Sequence, residues 1–229
     1  QRRAALLSCT SKKSYICAPV LDLGCGSGHL TSLLLARGIQ TYGADVSDNA
    51  EKIVTGRFKG DYNFLGFKQI AAGTSLPFEN NSIKTIFLLE TVEHLLQPVL
   101  DNLLLECRRI LASGGHIIVT TPNQENLKDS FVFCRNCGAQ FHSFQHVRSL
   151  NSSSLWDFLE KAGFKKVICR SAVLFPDWSV WLVAQKCRRV SWIPCPECGY
   201  HVPNTSISSG NRIRSIIREL YHLVCIAST

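Results

Sequence analysis

The stretch Val20–Gly28, VLDLGCGSG, decides the fold that this sequence predicts. An apolar run ends at Asp22 and is followed by three glycines at alternate positions, directly before the apolar-periodic stretch HLTSLLLARG. This order predicts a buried strand that turns through glycines into a helix. Glycines let the backbone approach a ligand closely, and the N-terminus of a helix offers unpaired N–H groups. The stretch therefore predicts a nucleotide-site turn.

The acidic residue at the end of this strand narrows the class of ligand. A dinucleotide site usually follows G-x-G-x-x-G and holds a pyrophosphate, which the carboxylate of Asp22 would repel. D-x-G-C-G-S-G suits a ligand with a cationic end. At this point the sequence resembles the class I S-adenosylmethionine-dependent methyltransferases, whose first motif nearly matches Val20–Gly28. The resemblance implies that these residues bind the methionine part of S-adenosylmethionine: Asp22, Gly24, Cys25, Gly26 and Gly28.

Composition fits one substantial α/β core with a small appendage, because the chain has 229 residues and 45% apolar content. No apolar run approaches the ~18 residues of a membrane span, and the start QRRAALLSCTSKK lacks the apolar core of a signal peptide. We therefore expect a cytoplasmic protein. The net charge of +8 allows an acidic partner such as nucleic acid, but the scattered lysines and arginines favour a simply basic surface.

The order of elements predicts a Rossmann-like α/β fold, with helices on both faces of a seven-stranded, mostly parallel sheet. Residues 1–16 form a basic lead-in, residues 17–187 the methyltransferase domain with a cysteine- and histidine-containing insert at 129–148, and residues 188–229 a tail. KKVICRSAVLF and WSVWLVAQK are predicted to close the sheet as an antiparallel hairpin. In the tail, NRIRSIIRELYHLV is predicted to form a basic amphipathic helix.

The second strand, IQTYGADVS, ends in Asp45. Its distance from Asp22 fits one β-α-β unit, which places an acidic group at the tip of the second strand. In nucleoside-binding folds of this kind, that carboxylate accepts hydrogen bonds from both ribose hydroxyls. Asp45 is therefore predicted to bind the ribose, although a carboxylate that only caps the helix opening at Ser47 is the alternative.

The adenine end of the cofactor is less well marked. Similar methyltransferases carry an acidic residue four positions before the leucine of L-P-F, where it binds the exocyclic amine, but this chain has Ala72 there. The adenine must then rely on backbone groups near residues 74–76 and on apolar packing. Leu76 and Pro77 are predicted to form its rim.

The fourth strand, IKTIFLLE, leads into Glu90-Thr91-Val92-Glu93-His94-Leu95. Ligands of open α/β sheets bind at the carboxyl ends of the strands, so these polar residues should line the pocket, and Glu90 is expected to contact the cofactor. The E-H-L segment, the R-I-L-x-x-G-G turn and T-P-N match the broad methyltransferase group that includes ubiquinone-pathway and glycan-modifying enzymes. The resemblance spans roughly residues 20–186 and specifies the fold and cofactor, but not the acceptor.

Two histidines are candidate general bases for a hydroxyl acceptor. His94 lies at the predicted pocket edge and is the first candidate. His146 is the second, because related enzymes bring a histidine over the substrate just before the helix that begins near residue 149. An imidazole with a pKa near neutrality suits proton transfer from a hydroxyl. For each histidine, a merely structural hydrogen bond is about as well supported by the sequence.

The eleven cysteines include two pairs with identical spacing, Cys134-x-x-Cys137-Gly and Cys195-x-x-Cys198-Gly. In such a turn two thiolates hold a tetrahedral zinc, and the following glycine lets backbone N–H groups point at sulfur. The pairs are further apart than the ~15–20 residues of a compact ribbon, so one shared ion requires that the insert and the tail meet. We predict this four-cysteine structural zinc site. The rival set replaces the second pair with His142 and His146.

Two further functions stay open. Glu90-x-x-Glu93-His94 and a later histidine resemble the metal-binding set of the small-RNA 3′-terminal 2′-O-methyltransferases, which grip the terminal ribose through a divalent ion. Alternatively, the missing acidic residue at position 72 and the appended cysteine site would suit a non-catalytic binding or scaffold protein. The favoured prediction is methyl transfer from S-adenosylmethionine to a small-molecule or glycan acceptor.

Overall fold

The computed structural model describes residues 15–173, 192–203 and 221–229. Seven strands form one sheet in the spatial order β3-β2-β1-β4-β5-β11-β8. The strands of this sheet are β1 Val20–Leu23, β2 Thr41–Asp45, β3 Phe64–Gln69, β4 Ile83–Leu89, β5 Leu111–Pro122, β8 Lys165–Val173 and β11 Tyr221–Ser228. The helices are α1 His29–Leu35, α2 Asp48–Phe58, α3 Gln97–Ile110 and α4 Ser152–Lys161. Two small hairpins, β6 Phe131–Phe133 with β7 Gln140–His142 and β9 Trp192–Pro194 with β10 His201–Pro203, lie outside the sheet.

The first β-α-β unit forms as predicted. All four residues of β1 are buried, and β1 pairs in parallel with both β2 and β4. Helix α1 buries Leu30 and Leu34 against the sheet and ends before Gly38, which has φ +70°. A glycine in this left-handed conformation is a common end to a helix. The unit therefore places the glycine turn and Asp45 at the same, carboxyl edge of the sheet.

The core lies mainly between the sheet and the helices α3 and α4. Strand β4 is almost continuously apolar and buried, as expected for a parallel strand covered on both faces. Leu100 and Leu104 of α3 pack into the same cluster as Leu155 and Leu159 of α4. No helix in the described ranges has the length and hydropathy that crossing a bilayer requires.

Replacement of Leu104 by Ala should destabilise the protein by about 2–5 kcal/mol, because it leaves a cavity in this core. Leu104 is 2% exposed, whereas the adjacent Leu105 is 55% exposed. Urea denaturation of Leu104→Ala and Leu105→Ala checks the prediction, with the second variant as control. Equal losses in the two variants would contradict the observed packing.

Strand β5 differs from its prediction. The segment SGG was expected to be a turn before the strand, but β5 begins at Leu111 and includes it. The register against β4 shifts there, because Ile83 pairs with Leu111 and Thr85 pairs with His116. The extra residues form a bulge in which a Cβ on Gly115 would lie 2.8 Å from the carbonyl oxygen of Lys84. The glycine-rich segment thus serves a bulge and not a connection.

The closing hairpin was predicted wrongly. Strand β8 forms, but its antiparallel partner is β11, which also pairs antiparallel with β5. The predicted partner at 178–186 lies outside the described residues, as do residues 211–220 of the predicted C-terminal helix. Residues 221–224 of that helix begin β11, so the prediction of a tail outside the sheet is wrong there. Residues 222–227 are all buried, which suits an apolar run between two strands.

Candidate active site and cysteine cluster

The glycine turn follows β1 with three left-handed residues. Gly24 has φ +76°, and a Cβ there would lie 2.9 Å from Oγ1 of Thr91. Gly28 has φ +73°, and a Cβ there would lie 2.8 Å from the Phe58 ring. At these positions both the backbone conformation and the available space require glycine. The turn is therefore packed tightly between α2 and the end of β4.

Asp22 and Cys25, which are predicted to bind the cofactor, are buried and contact other residues of the protein. Asp22 is 4% exposed, and its Oδ2 accepts hydrogen bonds from the N–H and hydroxyl of Thr31 at 2.9 and 2.7 Å. This carboxylate ties β1 to the first turn of α1. The Cys25 side chain is buried with Val54 and Phe58, and burial raises the pKa of its thiol to about 12. Cys25 can therefore offer a ligand only its backbone.

Asp45 lies at the tip of β2, beside the turn. Its Oδ2 accepts the N–H of Gly26 at 2.8 Å, and its Oδ1 accepts the N–H of Ser47 at 3.0 Å. Ser47 itself caps α2 through its hydroxyl, which accepts the N–H of Ala50. Asp45 is therefore not the cap of α2. Its half-buried carboxylate joins the glycine turn to the start of that helix.

Residues of α3 form hydrogen bonds with the predicted adenine rim. Leu76 is 4% exposed in the main core, and its N–H donates to Oε2 of Glu106 at 2.8 Å. Arg109 donates to the carbonyl of Leu76 at 3.0 Å and to Glu106 at 2.6 Å. The backbone N–H of Leu76 is thus used within the protein, and the contact of backbone groups near residues 74–76 with the adenine stays a prediction. Pro77 is exposed.

Glu90 follows β4 in a left-handed conformation, with φ +52°. Its Oε1 accepts the hydroxyl of Thr120 at 2.7 Å, and its Oε2 lies 3.1 Å from Nε2 of His222. His222 comes from β11, whose antiparallel direction brings its first residues to the carboxyl end of β5. A non-glycine residue with positive φ is strained and often marks a functional site.

Glu93 is 2% exposed in the short 3-10 helix Val92–His94. Its Oε2 accepts the hydroxyl of Thr121 at 3.1 Å, whereas its buried Oε1 has no hydrogen-bond partner in the described part of the chain. Burial and the neighbouring charge of Glu90 raise the pKa of Glu93 to about 7. A carboxylate in this environment is close to half-protonated at neutral pH.

The two predicted base candidates are brought together. The rings of His94 and His146 meet edge to face, with centroids 4.8 Å apart. Burial, and then the charge of His146, lower the pKa of His94. Burial would also lower the pKa of His146, but its hydrogen bond to Glu125 and the charge of that carboxylate raise it above the ordinary value. The ligand atoms of Glu93, His94 and His146 all lie within 4.8 Å of one another.

Glu125 was missed in the sequence. It follows β5. Its Oε2 lies 2.5 Å from Nδ1 of His146, and its Oε1 lies 3.5 Å from Nε2 of His142. Burial would raise the pKa of Glu125, but hydrogen bonds from the two histidines lower it to about 2. No local pattern marked this residue, because its partners come from the insert. The only available signal was its place just after a strand end.

The four predicted cysteines converge. Cys134-x-x-Cys137 connects β6 to β7, and Cys195-x-x-Cys198 connects β9 to β10. The four Sγ atoms all lie within 4.8 Å of one another, and two cross pairs, 134 with 198 and 137 with 195, are 3.6 Å apart. A tetrahedral zinc with Zn–S bonds of about 2.3 Å places two sulfurs about 3.8 Å apart.

The two cysteine turns share one backbone geometry. Cys134 N–H donates to the carbonyl of Ala139 and Cys195 N–H to that of Tyr200, at 2.8 and 2.9 Å. The rival set of ligands is not assembled among the described residues, because His142 and His146 group with Glu125 and not with the thiols. The insert and the tail thus meet at the cysteines.

The comparisons with known proteins agree with this architecture. Residues 21–119 match the family model described as a methyltransferase domain. The chain resembles methyltransferases over this region. It is 28% identical over 109 residues to a ubiquinone biosynthesis O-methyltransferase of Cupriavidus pinatubonensis, covering 48% of this chain and 43% of that protein. A Mycolicibacterium smegmatis relative named "Probable S-adenosylmethionine-dependent methyltransferase" is 27% identical over 147 residues, covering 64% of this chain and 51% of the relative.

Solved structures extend the likeness beyond the matched residues. The [4+2]-cyclase SpnF has a TM-score of 0.64 at 17% identity, over 98% of this chain and 80% of its own. The PH0226 protein from Pyrococcus horikoshii has a TM-score of 0.64 at 16% identity. The match covers 99% of this chain and 89% of that protein. At these identities the likeness shows the fold alone. The chain spans less than half the length of the first two curated relatives.

Proposed function

We propose that the protein transfers a methyl group from S-adenosylmethionine to a hydroxyl group of a small-molecule or glycan acceptor. The observation that carries this proposal is the placement of two groups on one sheet edge. Asp45 and the glycine turn lie at the ends of β1 and β2, and the His94–His146 pair lies beyond the end of β4. Ligands of open α/β sheets bind at this edge.

The residues at the turn fit the cofactor by their chemistry. The carboxylate of Asp45 offers acceptors for ribose hydroxyls, and no described atom lies within 4 Å of the Cβ position of Gly26. We propose that the three glycines, with Asp22 and Cys25 behind them, shape the methionine pocket, and that Pro77 borders the adenine. Glu90 would close the pocket from β4. S-adenosylmethionine, when bound, supplies an electrophilic methyl carbon on its sulfonium.

The chain's own contribution is alignment and proton removal. In-line displacement requires the acceptor oxygen to face the methyl carbon in a site that excludes water. We propose that an imidazole of the His94–His146 pair accepts the hydroxyl proton. The acceptor would lie between this pair and the glycine turn.

Removal of both imidazoles should reduce methyl transfer by about 10²- to 10⁴-fold. The experiment measures transfer of radiolabelled methyl to a panel of hydroxylated small molecules and glycans by the parent protein and His94→Ala/His146→Ala. Calorimetry with S-adenosylmethionine should show unchanged cofactor affinity, because neither ring belongs to the glycine turn. His201→Ala, on an exposed residue of β10, is the matched control.

Three outcomes of that experiment would count against the proposal. Equal transfer by the parent and the double variant would exclude the histidine base. Cofactor binding without transfer to any hydroxylated acceptor would exclude the proposed acceptor class. No binding of S-adenosylmethionine by the parent would favour the scaffold function.

We also propose that Cys134, Cys137, Cys195 and Cys198 hold one structural zinc ion. The close approach of the four thiols and the matching turns support it. Among the described residues, the hairpins share a small apolar cluster around Val132 and Val202. This cluster is too little to stabilise two hairpins with three-residue strands without a further link. With four protein ligands the ion would have no open position for a substrate.

A second candidate function rests on Glu93, His94 and His146. Their ligand atoms lie within 4.8 Å of one another, and Oε1 of Glu93 is buried without a hydrogen-bond partner among the described residues. Carboxylate and imidazole ligands suit a divalent ion, which would hold the ribose hydroxyls of an RNA 3′ end. Methylation of an RNA 3′ end that requires added Mg²⁺ or Mn²⁺ would support it. Metal-independent transfer to a small hydroxylated acceptor would exclude it.

A further inference from the structure

We infer that Glu125 is a positioning residue that fixes the tautomer and orientation of His146, and that His142 holds Glu125 in place. This inference rests on the proposed function, because it selects His146 from the proposed pair of bases. It is drawn from the hydrogen bond between Glu125 and His146, from the hydrogen bonds that the His142 ring accepts, and from the 3.5 Å distance between His142 and Glu125.

His142 has a defined tautomer. Its ring is buried, and Nδ1 accepts the backbone N–H groups of Phe144 and His146, each at 3.2 Å. A nitrogen that accepts hydrogen bonds carries no proton, so the neutral ring is protonated at Nε2. That Nε2–H lies 3.5 Å from Oε1 of Glu125. His142 thus orders the loop that follows it. Its buried Nε2–H forms no hydrogen bond with a described residue and faces the carboxylate of Glu125 at 3.5 Å.

Glu125 in turn orients the ring of His146. Its Oε2 lies 2.5 Å from Nδ1 of His146. Because an ionised carboxylate only accepts hydrogen bonds, Nδ1 of His146 must carry a proton. The lone pair of the neutral ring is then on Nε2, which is the nitrogen left to accept a proton from a substrate. The same use of a carboxylate to hold a histidine base occurs in hydrolase triads.

Packing fixes the plane of the His146 ring. It stacks on His142 with an interplanar angle of 20° and a centroid distance of 4.7 Å, and His94 meets it at 77°. His94 is oriented only by a hydrogen bond with the backbone of Gln145: within residues 15–173, 192–203 and 221–229, no carboxylate oxygen lies within 4.0 Å of its ring nitrogens. A base that is oriented by a third group is the better catalyst, and His146 meets this requirement.

The backbone that carries Glu125 is itself anchored. Asn123 forms an isolated bridge with Leu150, and the N–H of Gln124 donates to the carbonyl of Leu150 at 2.7 Å. Gln124 has φ +51°, which turns the chain sharply after β5. The position of Glu125 is therefore set by the sheet, while its partners come from the insert. The carboxylate joins these two parts at the site.

Glu125→Gln tests the inference, because glutamine offers one acceptor and one donor where two N–H groups face the side chain. Nitrogen-15 spectra of histidine-labelled protein report the tautomer of each ring, and His146→Asn assigns its signals. We expect a protonated Nδ1 and a bare Nε2 for His146 in the parent. In Glu125→Gln we expect a mixture of tautomers and a kcat about 10²-fold lower, with unchanged affinity for S-adenosylmethionine.

Two further variants complete the test. Glu125→Asp retains both acceptors and should keep the parent tautomer, and Glu160→Gln, on the exposed side of α4, should change neither spectrum nor rate. Unchanged cofactor affinity shows that each variant is folded. A parent spectrum with the proton on Nε2, or a Glu125→Gln spectrum identical to it, overturns the inference. A changed tautomer with unchanged methyl transfer would instead overturn the proposed base role of His146.

Discussion

Replacement of Asp45 by Ala is expected to weaken the binding of S-adenosylmethionine by about 10²- to 10³-fold. Hydrogen bonds to a charged group contribute about 1.5–3 kcal/mol each, and the proposed site lets Asp45 accept both ribose hydroxyls. The loss of two such bonds, partly replaced by water, corresponds to about 3–4 kcal/mol. Asp45 also accepts the N–H groups of Gly26 and Ser47, so its removal loosens the turn as well. Isothermal titration calorimetry measures the change.

Two further variants are compared with Asp45→Ala for their affinity for S-adenosylmethionine. Asp45→Asn keeps one acceptor of the carboxylate and should fall between the parent and the alanine variant. Asp157→Ala removes an exposed carboxylate of α4 and should bind the cofactor as the parent does. If Asp45→Ala bound as tightly as Asp157→Ala, the ribose would lie elsewhere.

Replacement of Cys195 by Ser is expected to abolish zinc binding. The parent should contain about one equivalent of zinc per chain, because four thiolates converge with spacing that fits a tetrahedral ion. Structural zinc contributes about 10–16 kcal/mol of apparent binding free energy in small domains, and loss of one thiolate removes most of the selectivity for the ion. Elemental analysis after dialysis against a chelator measures the content.

The matched control for the metal is Cys17→Ser, which changes an exposed cysteine outside the cluster. It should keep the zinc content of the parent. Loss of zinc from Cys195→Ser should also expose the two hairpins to proteolysis, because the proposed ion would link β6–β7 to β9–β10. A parent protein that binds no zinc, or a Cys195→Ser variant that keeps it, would refute the structural site.

The sequence predicted the first half of the fold because local signals and the global fold agree there. The glycines of Val20–Gly28, the periodicity of α1 and the spacing to Asp45 all specify one β-α-β unit. The cysteine pairs were equally clear, since C-x-x-C-G sets a local turn that does not depend on distant residues. Even so, a sequence cannot show that the two turns face each other.

The position of the last strand could not be predicted because strand order depends on distant parts of the chain. The stretch 178–186 was predicted to be the closing strand and 211–224 a helix, and local periodicity does not show which segment enters the sheet. The structure places Tyr221–Ser228 between β5 and β8, which also brings His222 to Glu90. That contact depends on strand order, which is a property of the whole sheet.

The role of Glu125 could not be predicted for a related reason. It stands in a loop without periodicity, and its two histidine partners belong to an insert whose path is fixed by the hairpin β6–β7. Asp22 shows a different limit, because its motif position predicts a place beside the ligand but not that its Oδ2 accepts hydrogen bonds from Thr31. A motif indicates which residues surround a site, but not which atoms face the ligand.

A crystal structure with S-adenosylhomocysteine is the most direct test of the central claim, that the turn after β1 is a nucleoside site. Density for the ligand is predicted between the Gly24–Gly28 turn and the tip of β2, with both ribose hydroxyls on Asp45. Density at another place, or a crevice filled by protein side chains at saturating ligand, would contradict the account.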